Sequence, residues 1–399
     1  METDRNIQLL NHKNMRTRSF LMTTLCAWML GASFIACSDE DKEIPQGPNP
    51  DGPTIDPVEQ VAYILNEGLW GSNNAGIALF HPNKQGISDA KYYETMNGGK
   101  PMGDLANAMI EEDENIYVVL NESKYVSRLS MSIKEEARYY FAEGEGKPRC
   151  IAVEGDYAYV TQHGGQVSKL NIKDMSLAGT FKGGDNLEGI VEEDGKLYVA
   201  NTWKADGSGN YLYNEELFVI DANTMTQTGT IPVVANPVQV QEINDRIYVI
   251  SQGDYVGVQA SLQVIDTKAG TSKEILKDVD KITEGNNGLI YGVCSTYDAD
   301  WNSVNSFFTY NPSTGVVSET SFLKNATSAL ASSAIYLLEV DEERGHIYVG
   351  PSDYTNTGTI YQFDKDGNLL QSFDSGGINP SAMIFWDLPK TQPATRNFH

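Results

Sequence analysis

From residue 61 to 388 the chain is a succession of short runs in which apolar and polar residues alternate, separated by Gly, Asp, Asn and Pro. That period of two, broken by turn residues, predicts strands in meanders, and no segment carries the 3.6-residue period of a long amphipathic helix. One run keeps returning: an apolar residue, Tyr, a Val-like residue, then a polar loop. It reads Ala62-Tyr63-Ile64, Ile116-Tyr117-Val118, Ala158-Tyr159-Val160, Leu197-Tyr198-Val199, Ile247-Tyr248-Val249, Ile290-Tyr291-Gly292 and Ile347-Tyr348-Val349. Successive tyrosines are 54, 42, 39, 50, 43 and 57 residues apart, about the repeat length of a four-stranded propeller blade.

The surroundings repeat too. Before each Tyr strand lies a short strand often opened by Pro or Asn, as in Pro148-Arg149-Cys150-Ile151 or Asn236-Pro237-Val238. A Gly, Asp or Asn turn follows, then the Tyr strand, a variable loop, and a third strand such as Leu217-Phe218-Val219-Ile220. The first copy begins at its second strand, Val61 to Asn66, and the missing strand is supplied by Asn379-Pro380-Ser381 to Phe385. The expectation is an all-β, seven-bladed β-propeller of four-stranded blades over 61–388, closed by pairing of its N- and C-terminal segments, which removes open sheet edges. The repeated Tyr is expected to pack between blades.

Ahead of this domain, Arg16 and Arg18 precede an apolar stretch, Phe20 to Ala36. A basic segment followed by an apolar one of this size reads as a signal peptide and is short for a membrane span. Phe34-Ile35-Ala36-Cys37 resembles a bacterial lipobox, which implies cleavage before Cys37 and lipidation of its thiol. Ser38-Asp39-Glu40-Asp41 resembles the acidic export signal of Bacteroidetes surface lipoproteins. Met15 begins a more typical signal than Met1. The expected organisation is a signal peptide at 1–36, a lipidated Cys and Pro-rich acidic tether at 37–60, the propeller at 61–388 and a tail at 389–399. The expected location is the outer membrane, exposed at the cell surface. Cys150 and Cys294 then remain, in different repeats, and read as two buried free thiols.

Charge narrows the function. With 54 acidic and 29 basic residues the net charge is -25, and loss of the leader makes it -27. Phosphate binding needs clustered Lys and Arg, so nucleic acid is excluded as a partner.

In a propeller, the loops after the second strands and those entering the first strands share one face. The candidates on that face are Asn66, Glu67, Trp70, Tyr125, Arg149, His163, Trp203, Asn236, Gln252, Tyr255, Tyr297, Trp301 and Tyr354. Aromatics with polar tips, interleaved with amides and carboxylates, suit a large, rigid, amphipathic ligand. No nucleophile with a paired base and no metal site stands out, so no catalytic residue and no required cofactor are expected. Asp206-Gly207-Ser208-Gly209-Asn210 lacks the full ligand set of a calcium loop and reads as a flexible turn.

The leader, the opening Tyr63-Ile64-Leu65-Asn66-Glu67-Gly68 with Gly71-Ser72-Asn73-Asn74, and the seven YncE-like blades together resemble the BtuG-type surface lipoproteins of Bacteroidetes. The resemblance covers residues 61–388. It implies capture of cobalamin (vitamin B12) or a related corrinoid as bound ligand, and transfer to a BtuB-like TonB-dependent transporter in the outer membrane. Two other readings stay open: a lactonase-like propeller hydrolase, and a binding component for another nutrient such as a glycan.

Overall fold

The computed structural model describes residues 58–300 and 302–389. The leader 1–36, Cys37, nearly all of the tether, Trp301 and residues 390–399 of the tail lie outside the described residues. Of two compact units, the one containing Gln60–Trp386 carries the fold.

The described residues are built almost wholly of antiparallel strands, with two five-residue helices, Tyr92–Met96 and Ser328–Ser332. The strands form five four-stranded sheets and one eight-stranded sheet in a propeller-like arrangement. The eight-stranded sheet contains two four-strand meanders, at 147–182 and 186–232. They are joined where Asn186 lies opposite His163. Sequence reasoning expected these two to be separate. The connection between them is a short Gly183-Gly184 crossing whose Gly183 N–H donates to Gly165 O at 2.9 Å, so the chain enters its next strand alongside the strand it has just left.

The other meanders span 106–140, 237–277, 279–318 and 334–378, and the first has the strand order Pro380–Pro389, Val58–Asn66, Gly76–Phe80, Ile87–Asp89. The C-terminal strand therefore lies beside the first Tyr strand, which begins at Val58 rather than Val61. Glu67 N–H donates to Asn379 O at 2.9 Å across this junction. Tight turns make the meanders local. Asp113-Glu114 (φ 48° and 59°) and Asn244-Asp245 (φ 53° and 55°) both hold two successive left-handed residues, the backbone of a type I′ hairpin turn whose twist matches that of the flanking strands.

The core is a series of seven apolar clusters, and each contains one of the repeated tyrosines. All seven rings are buried. Each cluster draws on two meanders that follow one another, and that of Tyr159 adds Val238 of a third. That of Tyr117 joins Val119 to Ile151 and Val160, and that of Tyr348 joins Leu337 and Ile360 to Ala62, Ile64 and Phe80 of the first meander. Some hydroxyls reach partners: Tyr63 OH donates to Met131 O at 2.5 Å, and Tyr348 OH accepts from Gln362 Nε2 at 3.1 Å, whereas Tyr117 OH is buried without one. A large ring that fills the seam is what all seven positions share, and a bonded hydroxyl adds to this where a partner is in reach. Both remaining thiols are free. Cys150 is buried, whereas Cys294 is only half-buried, because it sits where its strand runs out toward an exposed hairpin.

Candidate functional site

Three loops that follow second strands are each pinned by an aspartate. In the loop at 252–260, the Asp254 carboxylate accepts from the backbone N–H groups of Val256, Gly257 and Val258 at 2.9, 2.7 and 2.7 Å. Asp353 accepts from Thr355 and Asn356 N–H at 2.9 and 2.8 Å. Asp298 accepts from Asn302 Nδ2 at 3.0 Å and from Asn302 N–H at 2.9 Å. These bonds hold all three carboxyls below the usual carboxylate range. Beside each aspartate stands a tyrosine: Tyr255, Tyr354 and Tyr297. Tyr255 and Tyr354 sit at φ 59° and 61°, left-handed conformations that the pinned turns impose. Gly253 (φ 70°) closes the first loop so tightly that a Cβ there would lie 1.9 Å from Val258 O, so only glycine fits.

The three tyrosines wall an open pocket of about 420 Å³. Tyr336, Gln252, Asp278, Asp280 and Lys281 are among the other side chains that line it. Tyr255 is 58% exposed and Tyr297 52%. The Tyr255 hydroxyl turns inward, donating to Gln252 Oε1 and accepting from Asn236 Nδ2 at 3.4 Å. Tyr336 meets Tyr354 edge to face at 5.6 Å, and Tyr255 meets Tyr213 likewise at 5.6 Å. Burial pushes the Tyr255 and Tyr336 hydroxyls up, so both are hydrogen-bond donors at neutral pH.

Tyr336, Asp280 and several partners share a backbone feature. Near its start, the first strand of each meander from the second to the seventh skips a step in its ladder. The skips fall at Asn107, at Arg149-Cys150, at Glu188-Gly189, at Val238, at Asp280 and at Tyr336. An extra residue in one strand bends it locally and re-aims the side chain. Neighbouring first strands touch, as at 106–112 with 147–154 and at 147–154 with 186–193, so the re-aimed residues meet. Gly189 lies so close to the next first strand that a Cβ would be 2.5 Å from Val240 N.

The outcome is a buried polar chain across meanders. Tyr336 OH donates to Glu67 Oε2, and Asn107 Nδ2 donates to Glu67 Oε1 at 3.0 Å. Arg149 Nη1 donates to Asn107 Oδ1 at 3.3 Å and Nε to Glu188 Oε2 at 2.9 Å. His163 Nε2 lies 2.6 Å from Glu188 Oε1. Burial works to raise the Glu188 carboxyl, and the charge of Arg149 with the hydrogen bonds from His163 and Arg149 outweighs it, holding it below the usual range.

Of the residues expected at the site, Gln252, Tyr255, Tyr297 and Tyr354 line the pocket. Asn236 is buried behind Tyr255, and its Oδ1 has no hydrogen-bond partner. Glu67, Arg149 and His163 belong to the polar chain. Trp203 stands edge-on to His163 at 6.0 Å and to Tyr211 at 4.8 Å. Three others lie away from these groups. Trp70 is 74% exposed on its own loop. Asn66 is buried, its Nδ2 donating to Ser375 O at 3.0 Å and its Oδ1 accepting from Ser375 Oγ at 2.8 Å. Tyr125 is buried in a seam, donating to Met102 O with the Arg138 guanidinium 3.7 Å above its ring. Trp301 lies outside the described residues. The Asp206 carboxylate is turned inward, accepting from Ser208 N–H at 2.7 Å and from Asn210 Nδ2 at 2.8 Å, so it ties its own turn. Among the described residues, no group of three or more His, Cys, Asp or Glu is placed to hold a metal ion. Sequence reasoning missed Tyr336, Asp280, Lys281 and Asn107. Their one signal is a polar residue interrupting an otherwise apolar first strand, as in Val279-Asp280-Lys281-Ile282.

A family model described only as a domain of unknown function, DUF5074, matches residues 60–207. No curated protein matches the chain. Among solved structures, the hydrazine synthase of Kuenenia stuttgartiensis is similar, with a TM-score of 0.50 at 17% identity over 63% of this chain and 74% of that one. A computationally designed protein, Ika8, gives a TM-score of 0.48 at 11% identity over 80% of this chain and 89% of its own. The first of these likenesses supports the propeller-like fold and nothing beyond it.

Proposed function

We propose that this chain is a surface-exposed outer-membrane lipoprotein that captures cobalamin or a related corrinoid and passes it to a BtuB-like TonB-dependent transporter. The carrying observation is the pocket on the loop face. Tyr255, Tyr297, Tyr336 and Tyr354 stand around it, with Gln252, Asp280 and Lys281 between them. A corrin is a broad ring with apolar patches, edged by amide side chains. Tyrosine faces cover the patches, and the polar groups meet the amides. A volume of about 420 Å³ lies in the range of small-molecule sites and takes one edge of so broad a ligand. The rest then lies across the exposed Tyr255 and Tyr297.

The proposal includes a closed ring of seven four-stranded blades. It is supported by the seven Tyr seams, the last of which joins the seventh meander to the first. The lipid anchor on Cys37 rests on the leader's resemblance to a lipobox. Calorimetric titration of the protein, purified without its lipid, with cyanocobalamin tests the reading. Saturable heat with a stoichiometry of one is expected. No heat and no change in the corrin absorption spectrum at micromolar protein would overturn it.

A further inference from the structure

Asp280 and Lys281 are consecutive residues of a first strand, yet both line the pocket. The ladder skip explains this. Val279 pairs with Cys294 and Lys281 with Val293, leaving Asp280 as the extra residue. A bulge of this kind places two successive side chains on one side of the strand.

Lys281 is only 7% exposed. No hydrogen bond and no ion pair engages its ammonium among the described residues, and none engages the Asp280 carboxylate. The two do not form a salt bridge with each other. The Lys281 side chain is almost wholly buried and Asp280 half-buried, and their charged ends face the pocket with no bond to the described residues, so a ligand that displaces water there has to satisfy both. Burial pushes the Asp280 carboxyl up, with the Lys281 charge opposing, as expected for a carboxyl that lacks donors.

Resting on the corrinoid reading above, we infer that Asp280 and Lys281 form a subsite for one primary amide of the ligand. The Lys281 ammonium donates to the amide oxygen, and the Asp280 carboxylate accepts from the amide N–H. The paired charges decide between an amide and an oxyanion. An oxyanion would satisfy Lys281 but would face the charge of Asp280 and that of Asp278, another carboxylate of the lining, and like charges in one desolvated site repel. An amide presents an acceptor and a donor side by side and meets both groups.

The test is calorimetric titration of cyanocobalamin into the wild-type protein and into Lys281→Met and Asp280→Leu, with thermal melts as a control for folding. Each substitution is expected to weaken binding about ten- to a hundredfold, the loss that accompanies one hydrogen bond to a charged group. Tighter binding by Asp280→Leu would show that an oxyanion sits there and would overturn the amide assignment. Wild-type binding with both variants unchanged overturns this inference alone. Absence of wild-type binding overturns the corrinoid reading and this inference with it. If Asp280→Leu fails to fold, Asp280→Asn is read instead. Its charge is gone while its amide oxygen still accepts, so an amide ligand predicts a loss below tenfold and an oxyanion predicts a gain.

Discussion

Glu284 ends the first strand Val279–Glu284, at the end remote from Asp280. Its Oε2 is buried without a hydrogen-bond partner. Burial, together with the charges of Glu342 and Asp245, pushes its carboxyl from the ordinary 4.5 to about 7. The native state therefore keeps a proton on Glu284 at pH values where the unfolded chain has released it. Between about pH 4.5 and 7 the native state binds more protons than the unfolded state, so stability falls as pH rises through this window and stays lower above it. At about 1.36 kcal/mol per unit of pKa, a rise of about 2.5 units sets a ceiling of about 3.4 kcal/mol. Because the carboxyl is partly exposed, screening by solvent reduces this to about 1–2 kcal/mol. Glu284→Gln removes the titration and nearly keeps the shape. Thermal melts of both proteins at about pH 4.5 and pH 8 measure the effect. The variant is expected to match the wild type at the lower pH and to melt a few degrees higher at the upper one, with a smaller gain at 1 M salt, where repulsion from Glu342 and Asp245 is screened. A gain of equal size at both pH values, or none at pH 8, refutes the reasoning.

Other expectations follow from the polar chain, the pinned loop and the seams. Glu188→Ala removes the carboxylate that accepts from the buried Arg149 Nε and should cost about 3–5 kcal/mol; a urea-denaturation loss below about 1 kcal/mol counts against a buried ion pair. Gly253→Ala forces a Cβ against Val258 O and displaces Tyr255, so cyanocobalamin affinity should fall at least tenfold while the melting point shifts little; unchanged affinity removes this loop from the site. Tyr348→Ala empties the seam between the last and first meanders and should cost about 3–5 kcal/mol, the usual range for a large buried aromatic; a loss like that of a surface substitution contradicts the seam's role.

The strands were legible because their burial repeats. A Tyr that fills a seam in every meander imposes one register on every second strand, and the sequence shows it as a fixed motif. The C-terminal strand was legible for the same reason, since Asn379-Pro380 repeats the left-handed residue that opens other first strands. Asn236 and Asn379 both have positive φ, at 63° and 59°, a conformation that Asn tolerates better than most residues. Loop membership was legible for Trp70, Gln252, Tyr255 and Tyr354, whereas Tyr125, His163, Trp203 and Tyr297 stand on strands. The direction of each loop side chain was not legible. Asn66 and Glu67 are adjacent, yet one turns to Ser375 and the other to Asn107 and Tyr336. Tyr125 follows a second strand as Tyr255 does, but it opens the third strand directly opposite Leu120. The pleat then sends its ring into the seam, whereas Tyr255 rides on a longer, pinned loop outside the ladder.

The ladder skips account for the rest of what sequence reasoning missed. A strand read with period two assigns alternate residues to opposite faces, and one extra residue reverses that assignment for everything before it. Asn107, Arg149, Glu188, Asp280 and Tyr336 all sit at such a reversal. A strict alternation points them at a neighbouring seam, where an ionised side chain would be unsatisfied. The skip turns Asn107, Arg149, Glu188 and Tyr336 toward one another and Glu67, where their hydrogen bonds offset the lost ladder bonds, while it turns Asp280 into the pocket. Tyr336 is the member with a foot in both places. Its ring walls the pocket against Tyr354 while its hydroxyl donates to Glu67, the carboxylate that also holds Asn107. The pocket wall is thus held by the same bonds that satisfy the buried chain, so a substitution at Arg149 or Glu188, neither of which lines the pocket, is expected to shift one tyrosine ring of that wall.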